Sequence, residues 1–161
     1  MNKKEIIDLI ISKYQSMEYP DFSFVSEAVL SSPYQEVIRQ IERSFQVTED
    51  TDPNDDVSFG YLLSKGEKQW LLRISMIEKC AVLFRIYNSN NVEVVSKITQ
   101  SLSESEIELM SILLNNEIDL MDGETLELQI PMRLFNTATE NTRVYQALFT
   151  DTDILPWQFQ D

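Results

Sequence analysis

Three runs decide the fold: Val57-Ser58-Phe59-Gly60-Tyr61-Leu62-Leu63, Trp70-Leu71-Leu72-Arg73-Ile74-Ser75-Met76 and Cys80-Ala81-Val82-Leu83-Phe84-Arg85-Ile86. In each, large apolar residues fall at every second position, the period of a β-strand with one face in a core. Val57, Phe59, Tyr61 and Leu63 mark the first, Trp70, Leu72, Ile74 and Met76 the second, and Cys80, Val82, Phe84 and Ile86 the third. Ser64-Lys65-Gly66-Glu67 reads as a turn and Glu78-Lys79 as a reversal. Residues 57–88 are therefore predicted to form a three-strand antiparallel meander that buries Trp70, Leu72, Ile74, Val82 and Phe84. The rival, one helix over 69–87, fails because Arg73, Glu78, Lys79 and Arg85 share no helical face.

Upstream the period changes to 3.6. Ile6, Ile7, Ile10, Ile11, Tyr14 and Met17 form one stripe opposite Lys4, Asp8 and Ser12, which predicts an amphipathic helix over 3–17 ended by Pro20. Ser32-Pro33-Tyr34-Gln35 reads as a second start, with Ser32 as N-cap and Tyr34, Ile38, Ile41 and Phe45 on the buried face. Between Phe22 and Leu30 a short helix and irregular chain both fit. Thr48 to Asp56 reads as a long polar connection into the sheet.

Downstream, Ser103-Glu104-Ser105-Glu106 is a capping box that opens a helix with Ile107, Met110, Leu113 and Leu114 inward. Asp122-Gly123, set between Ile118-Asp119-Leu120 and Leu126-Glu127-Leu128-Gln129-Ile130, predicts a β-hairpin. Period two continues through Met132 and Leu134, and Pro131 marks an edge or a bend. A last helix is expected through Val144, Ala147 and Leu148, before a tail containing Leu155, Pro156, Trp157 and Phe159. The fold class is α+β: an antiparallel sheet, meander plus hairpin, packed with helices and preceded by a helical N-terminal region. One domain over residues 1–161 is expected, with a helical region spanning 1–47, a sheet-and-helix core spanning 57–150 and a tail spanning 151–161.

The composition supports a core and removes much chemistry. The chain has 161 residues, 43% of them hydrophobic, enough to bury a substantial core. It has no histidine and one cysteine, so Ser-His-Asp and Cys-His catalysis, a structural zinc site and an internal disulfide are excluded. Its three glycines, Gly60, Gly66 and Gly123, are too scattered for a phosphate-binding loop. With 27 acids against 13 bases and a net charge of −14, neither nucleic acid nor an anionic membrane surface is an expected partner. Asp8, Lys13 and Glu18 interrupt the first apolar stretch, so no signal peptide is read and a cytoplasmic location is expected. No metal and no cofactor are expected either. Cys80, on the face of Val82 and Phe84, reads as a buried thiol.

Two acidic fields remain. Asp50, Asp52 and Asn54 match the first three ligand positions of a calcium loop, but Asp55 stands where glycine is needed and Tyr61 where glutamate is needed. The stretch containing Glu49, Asp50, Asp52, Asp55 and Asp56 is thus read as a solvated connection or as an acidic knob for a partner. The second field is the interval between Lys97 and Arg133, which has no base and carries Glu104, Glu106, Glu108, Glu117, Asp119, Asp122, Glu124 and Glu127. The helix dipole accounts for the first three. The others flank the predicted hairpin, where like charges repel, and a cationic partner would supply a reason for them. Trp157 either pins the tail onto the domain or anchors a partner.

In size and charge the chain resembles bacterial immunity proteins, which neutralise a cognate toxin. Toxins that cut nucleic acid are basic where they bind phosphate, and an inhibitor presenting carboxylates competes for that surface. The resemblance implies a non-catalytic protein-binding module, with a basic protein partner at the acids named above. In element order, setting aside the helix over 32–47, the chain is also similar to small acidic secretion chaperones. A DNA-mimicking anti-defence protein and a metal- or carboxylate-dependent hydrolase are the remaining readings. Binding through acids weakens with salt, whereas a chaperone using apolar patches is less salt-sensitive.

Overall fold

The alternation over 57–88 builds the centre of a sheet in the computed structural model, which describes residues 2–158. Strands β1 (Gln46–Glu49), β2 (Ser58–Lys65), β3 (Lys68–Ser75), β4 (Cys80–Asn88) and β5 (Asn91–Val95) pair antiparallel in chain order. The β2–β3 turn has Lys65 opposite Lys68, and Gly66 takes φ +62°, the left-handed value that a two-residue loop demands. A sixth strand, β6 (Asp119–Leu120), runs parallel to the start of β4, pairing with Cys80 and Ala81 below the stretch that β5 covers.

Register sorts the core into two faces. Phe59 opposes Ile74, Tyr61 opposes Leu72 and Leu63 opposes Trp70, and Leu72 in turn opposes Leu83. This face is covered by α3 (Gln35–Glu42) and α4 (Glu104–Asn115), through Tyr34 packed edge-on to Phe59, Phe45 edge-on to Trp70, and the bond from Trp70 to Glu106. The other face carries Val82 and Phe84. It is covered by α6 (Val144–Leu148) and the chain after it: Phe84 packs against Tyr145, and the Ser58 and Ser75 hydroxyls donate to the carbonyls of Phe149 and Leu148. Helix α1 (Lys3–Tyr14) lies against α6, its Tyr14 hydroxyl donating to the Ala147 carbonyl at 2.6 Å. The α+β class, the meander and its five expected core residues therefore stand, and all five are buried.

Several local expectations do not. Ser32 is not an N-cap: it closes α2 (Phe24–Ser31) with φ 45°, and α3 starts three residues later without a side-chain cap. Thr48 and Glu49 belong to the edge strand β1, not to a connection. The Asp122-Gly123 hairpin does not form. The Asp122 carboxylate instead accepts from the Thr125 amide at 2.8 Å and caps the short helix α5 (Gly123–Leu126), because Asp is as good an N-cap as it is a turn residue. Ile130, Met132 and Leu134 are buried at alternate positions but join no ladder. The capping box of α4 forms as predicted, yet the buried face is Glu106, Leu109 and Leu113, while Ile107 and Leu114 face solvent. In α1 the buried stripe narrows to Ile6, Ile10 and Tyr14. Phe159 lies outside the described residues. No helix among the described residues is long and apolar enough to cross a membrane.

Candidate protein-binding surface

The predicted acids divide by what their carboxylates already do. Glu106 is only 1% exposed. Its two oxygens accept from Arg85 Nε and Nη2, both at 2.6 Å, from Trp70 Nε1 at 2.9 Å and from the Ser103 amide at 2.8 Å. Burial works to raise its pKa, but the Arg85, Ser103 and Trp70 hydrogen bonds outweigh it and bring the group down to about 2. Glu106 therefore ties helix to sheet and presents no carboxylate to a partner. Asp56 is likewise internal: Oδ1 accepts from the Thr150 hydroxyl at 2.7 Å, and Oδ2 from the Asp52 amide at 2.8 Å and Arg73 Nη1 at 3.3 Å.

The interval from Glu104 to Glu127 is less free than its charge suggests. Asp122 caps α5, and Glu127 accepts from Trp157 Nε1 at 2.8 Å and Gln158 Nε2 at 2.7 Å. Glu108 pairs with Lys65 at 3.4 Å. With no hairpin there, the like-charge cost across a two-stranded turn does not arise. Glu104, Glu117, Asp119 and Glu124 remain exposed, and Glu117 lies 3.9 Å from Lys79 in a loose pair. Trp157 pins the tail, stacked on Phe84 with centroids 5.9 Å apart and set edge-on to Tyr145. Cys80 is buried, and desolvation pushes its thiol up to about 12.

The loop from Asp50 to Asp56 is folded inward at one end and open at the other. Asp52 Oδ1 accepts from the Asn54 amide and Asp56 turns into the core, while Glu49, Asp50 and Asp52 stay exposed. The carbonyl of Asp50 sits where a Cβ on Gly60 would approach to 2.7 Å, so glycine at 60 lets the loop return over β2. No group of three or more metal-ligating His, Cys, Asp or Glu side chains gathers among the described residues.

Sequence reasoning missed a feature beside this loop. The Asp55 carboxylate accepts from Asn136 Nδ2 at 3.0 Å, and the Asp55 carbonyl accepts from the Asp151 amide at 2.9 Å. Asp151, itself buried, accepts from the amides of Phe135 and Asn136 and from the Thr137 hydroxyl, at 2.8 to 3.0 Å. Loops 50–56 and 133–137 are thus braced by one segment, and the second presents Phe135 at 86% exposure. The signal was present: alternation that puts Leu134 inward puts the next residue, an aromatic, outward.

No protein family, no curated protein and no solved structure matches this acidic, sheet-centred α+β chain.

Proposed function

We propose that the chain is a non-catalytic acidic module that binds a basic protein, and that it serves as an immunity protein against a nuclease-type toxin. The observation that carries this reading is the state of its carboxylates. Of the 26 acids among the described residues, six lie in ion pairs: Glu36, Glu93, Glu106, Glu108, Glu117 and Asp56. Self-repulsion of the remainder costs stability, and a cationic surface in the partner offsets it on binding. A toxin that holds phosphate with Lys and Arg has such a surface. Exposed Tyr19, Leu30 and Phe135 favour a second reading, an effector chaperone that holds apolar segments. The test is co-expression with a candidate basic toxin, sought first in the neighbouring gene. The immunity reading expects protected growth and a purified complex that weakens as salt rises. A toxin that stays lethal and unbound in the presence of this protein removes it, and a salt-insensitive complex with an unfolded segment selects the chaperone.

A further inference from the structure

We propose that Tyr19, Phe22 and Phe135 form the docking surface, and that its occupant is a basic protein segment carrying a large apolar side chain. The proposal rests on the protein-binding reading and gives it a place. Phe135 and Tyr19 are 86% and 73% exposed, and the half-buried ring of Phe22 lies between them and the core, 5.6 Å from Phe135 and 5.3 Å from Tyr14. Tyr19, Pro20, Phe22, Leu134 and Phe135 line one cleft together with Glu18 and Arg133. Scattered apolar side chains are ordinary on a protein surface, but an aromatic cluster is the composition of an interface centre.

The backbone that carries the cluster is also fastened. Asp151 fixes the Phe135 and Asn136 amides, and the Arg133 amide donates to the Met17 carbonyl at 2.9 Å, fastening loop 133–137 to the chain that leaves α1. On the other side of the cleft, Asp21 accepts from the Ser23 amide at 2.9 Å and Tyr19 N donates to the Ser16 hydroxyl. A buried carboxylate committed to a loop whose own side chain points to water makes sense when that side chain is the working part. Aromatic side chains have few rotatable bonds, and on a fastened backbone they bind at lower ordering cost, which is the advantage of preorganisation.

Charge names the occupant. Glu18 lines the cleft, exposed Asp21 lies in the chain between its lining residues Pro20 and Phe22, and through Asn136 and Asp55 the cleft joins the loop that exposes Asp50 and Asp52. The cations near it are Arg133 and Lys13, the latter 5.5 Å over the Phe24 ring. Counted with that loop, four exposed acids, Glu18, Asp21, Asp50 and Asp52, stand against these two bases. Two copies of a chain of charge −14 repel one another, so a second copy is the disfavoured occupant and a basic segment the favoured one.

Two synthetic peptides of equal length and equal Lys and Arg content test this, one with Trp and Leu at positions where the other has Gly. Titrated into the full chain and followed by amide NMR, the apolar-bearing peptide is expected to bind more tightly. It should shift residues 17–22, 50–56 and 133–137. Phe135→Ala should weaken it about tenfold or more while leaving the melting curve unchanged, with Phe135→Leu between the two. Equal affinity for the two peptides, no saturable binding, shifts centred on Glu117 to Glu124, or a dimer dissolved by Phe135→Ala would each overturn the proposal. The two readings fail separately. Toxin protection that survives Phe135→Ala keeps the immunity reading and removes this surface; a peptide docked at Phe135 without any protection does the reverse.

Discussion

Arg85 of β4 and Glu106 of α4 meet in a two-pronged pair, Nε to Oε2 and Nη2 to Oε1, both at 2.6 Å. Glu106 is the third residue of its helix, so the carboxylate that completes the capping box also clamps the helix N-terminus onto the sheet. Planar guanidinium matched to planar carboxylate gives the pair its geometry, and the Trp70 indole satisfies the remaining lone pair. Glu106→Ala should cost about 3 kcal/mol, because it removes the two-pronged bond to Arg85 and leaves the buried Trp70 Nε1 unpaired, while Arg85 keeps Glu93 at 3.2 Å and the Ser101 carbonyl. Glu106→Gln should cost less. Urea unfolding of the two variants checks this, and a loss below about 1 kcal/mol for alanine would show the pair to be ornamental.

Acid should expose the same contact. The folded-state pKa of Glu106 is lowered to about 2 against an ordinary 4.5, so the unfolded chain binds the proton more readily. The stability it contributes is complete above the unfolded value and is lost as pH falls from there through about 2. Melting temperature should therefore drop more steeply below pH 4.5 in the wild type than in Glu106→Gln, whose side chain does not titrate.

At the alkaline end the sign reverses. Burial raises Tyr34, Tyr61, Tyr145 and Cys80 to about 12, and raises Tyr14 further still, with its hydroxyl bound to the Ala147 carbonyl. Stability from these neutral groups is complete below their ordinary values of 10.0 and, for the thiol, 9.0, and is lost as pH climbs through 12. The part of the tyrosinate absorbance that comes from these four tyrosines should rise late and cooperatively with unfolding. Cys80 should ignore thiol reagents until the chain unfolds. Stoichiometric labelling of the native protein near neutral pH would contradict the burial.

Helix α4 ends in a motif that prefers glycine. The Glu117 amide donates to the Leu114 carbonyl and the Ile118 amide to the Leu113 carbonyl, with Ile118 and Leu113 both buried, and Glu117 takes φ 60° between them. A glutamate there bears left-handed strain, and its pair with Lys79 spans 3.9 Å at high exposure and returns little. Glu117→Gly should stabilise the protein by about 1 kcal/mol, read as a higher urea midpoint at unchanged slope. A lower midpoint would mean that the charge outweighs the backbone.

The strand period over 57–88 and the cap of α4 were legible because they are local, whereas the Ser32 cap was misread because Ser32 closes the preceding helix. Trp70, Leu72 and Ile74 alternate whatever surrounds them, and Ser103 and Glu106 cap each other across one turn. What escaped reading was decided at a distance. Asp122-Gly123 is compatible with a hairpin turn and with a helix start, and the parallel pairing of Asp119 with Cys80 chose the second. Gln46 to Glu49 is too polar to look like a strand until β2 lends it an edge. Asn88-Ser89-Asn90-Asn91 followed by Val92, Val94 and Val95 did carry a hairpin signal, and β5 was legible there in principle. Charge misled in a different way. Glu106 and Asp56 count as surface in any tally, and only Arg85 and Arg73, brought up by the sheet, show them to be interior. Phe135 is a feature of the same kind, meaningful only once Asp151 is seen holding its backbone.

If a basic partner docks at Phe135, the two acidic fields should act differently on its kinetics. Asp50 and Asp52 are exposed on the loop braced beside that residue, whereas Glu117, Asp119 and Glu124 cluster around β6 and α5. Long-range attraction accelerates encounter, and its strength falls with distance from the docking site and with salt, over a Debye length of about 10 Å at 0.1 M. Asp50→Lys with Asp52→Lys should therefore slow association roughly tenfold at low ionic strength, with the deficit shrinking as salt is added. Lysine at Glu117, Asp119 and Glu124 should slow it less, although it changes more charge. Dissociation should respond to neither set and strongly to Phe135→Ala, because apolar contacts at the interface centre govern residence. Folding should be unharmed or slightly improved in both charge variants, as like charges are removed. Stopped-flow rates across ionic strength, with the candidate toxin or the apolar-bearing peptide as partner, decide the matter. A larger and salt-dependent deficit from the triple variant would move the interface to the α4–α5 region, and rates independent of salt in every variant would remove electrostatic steering altogether.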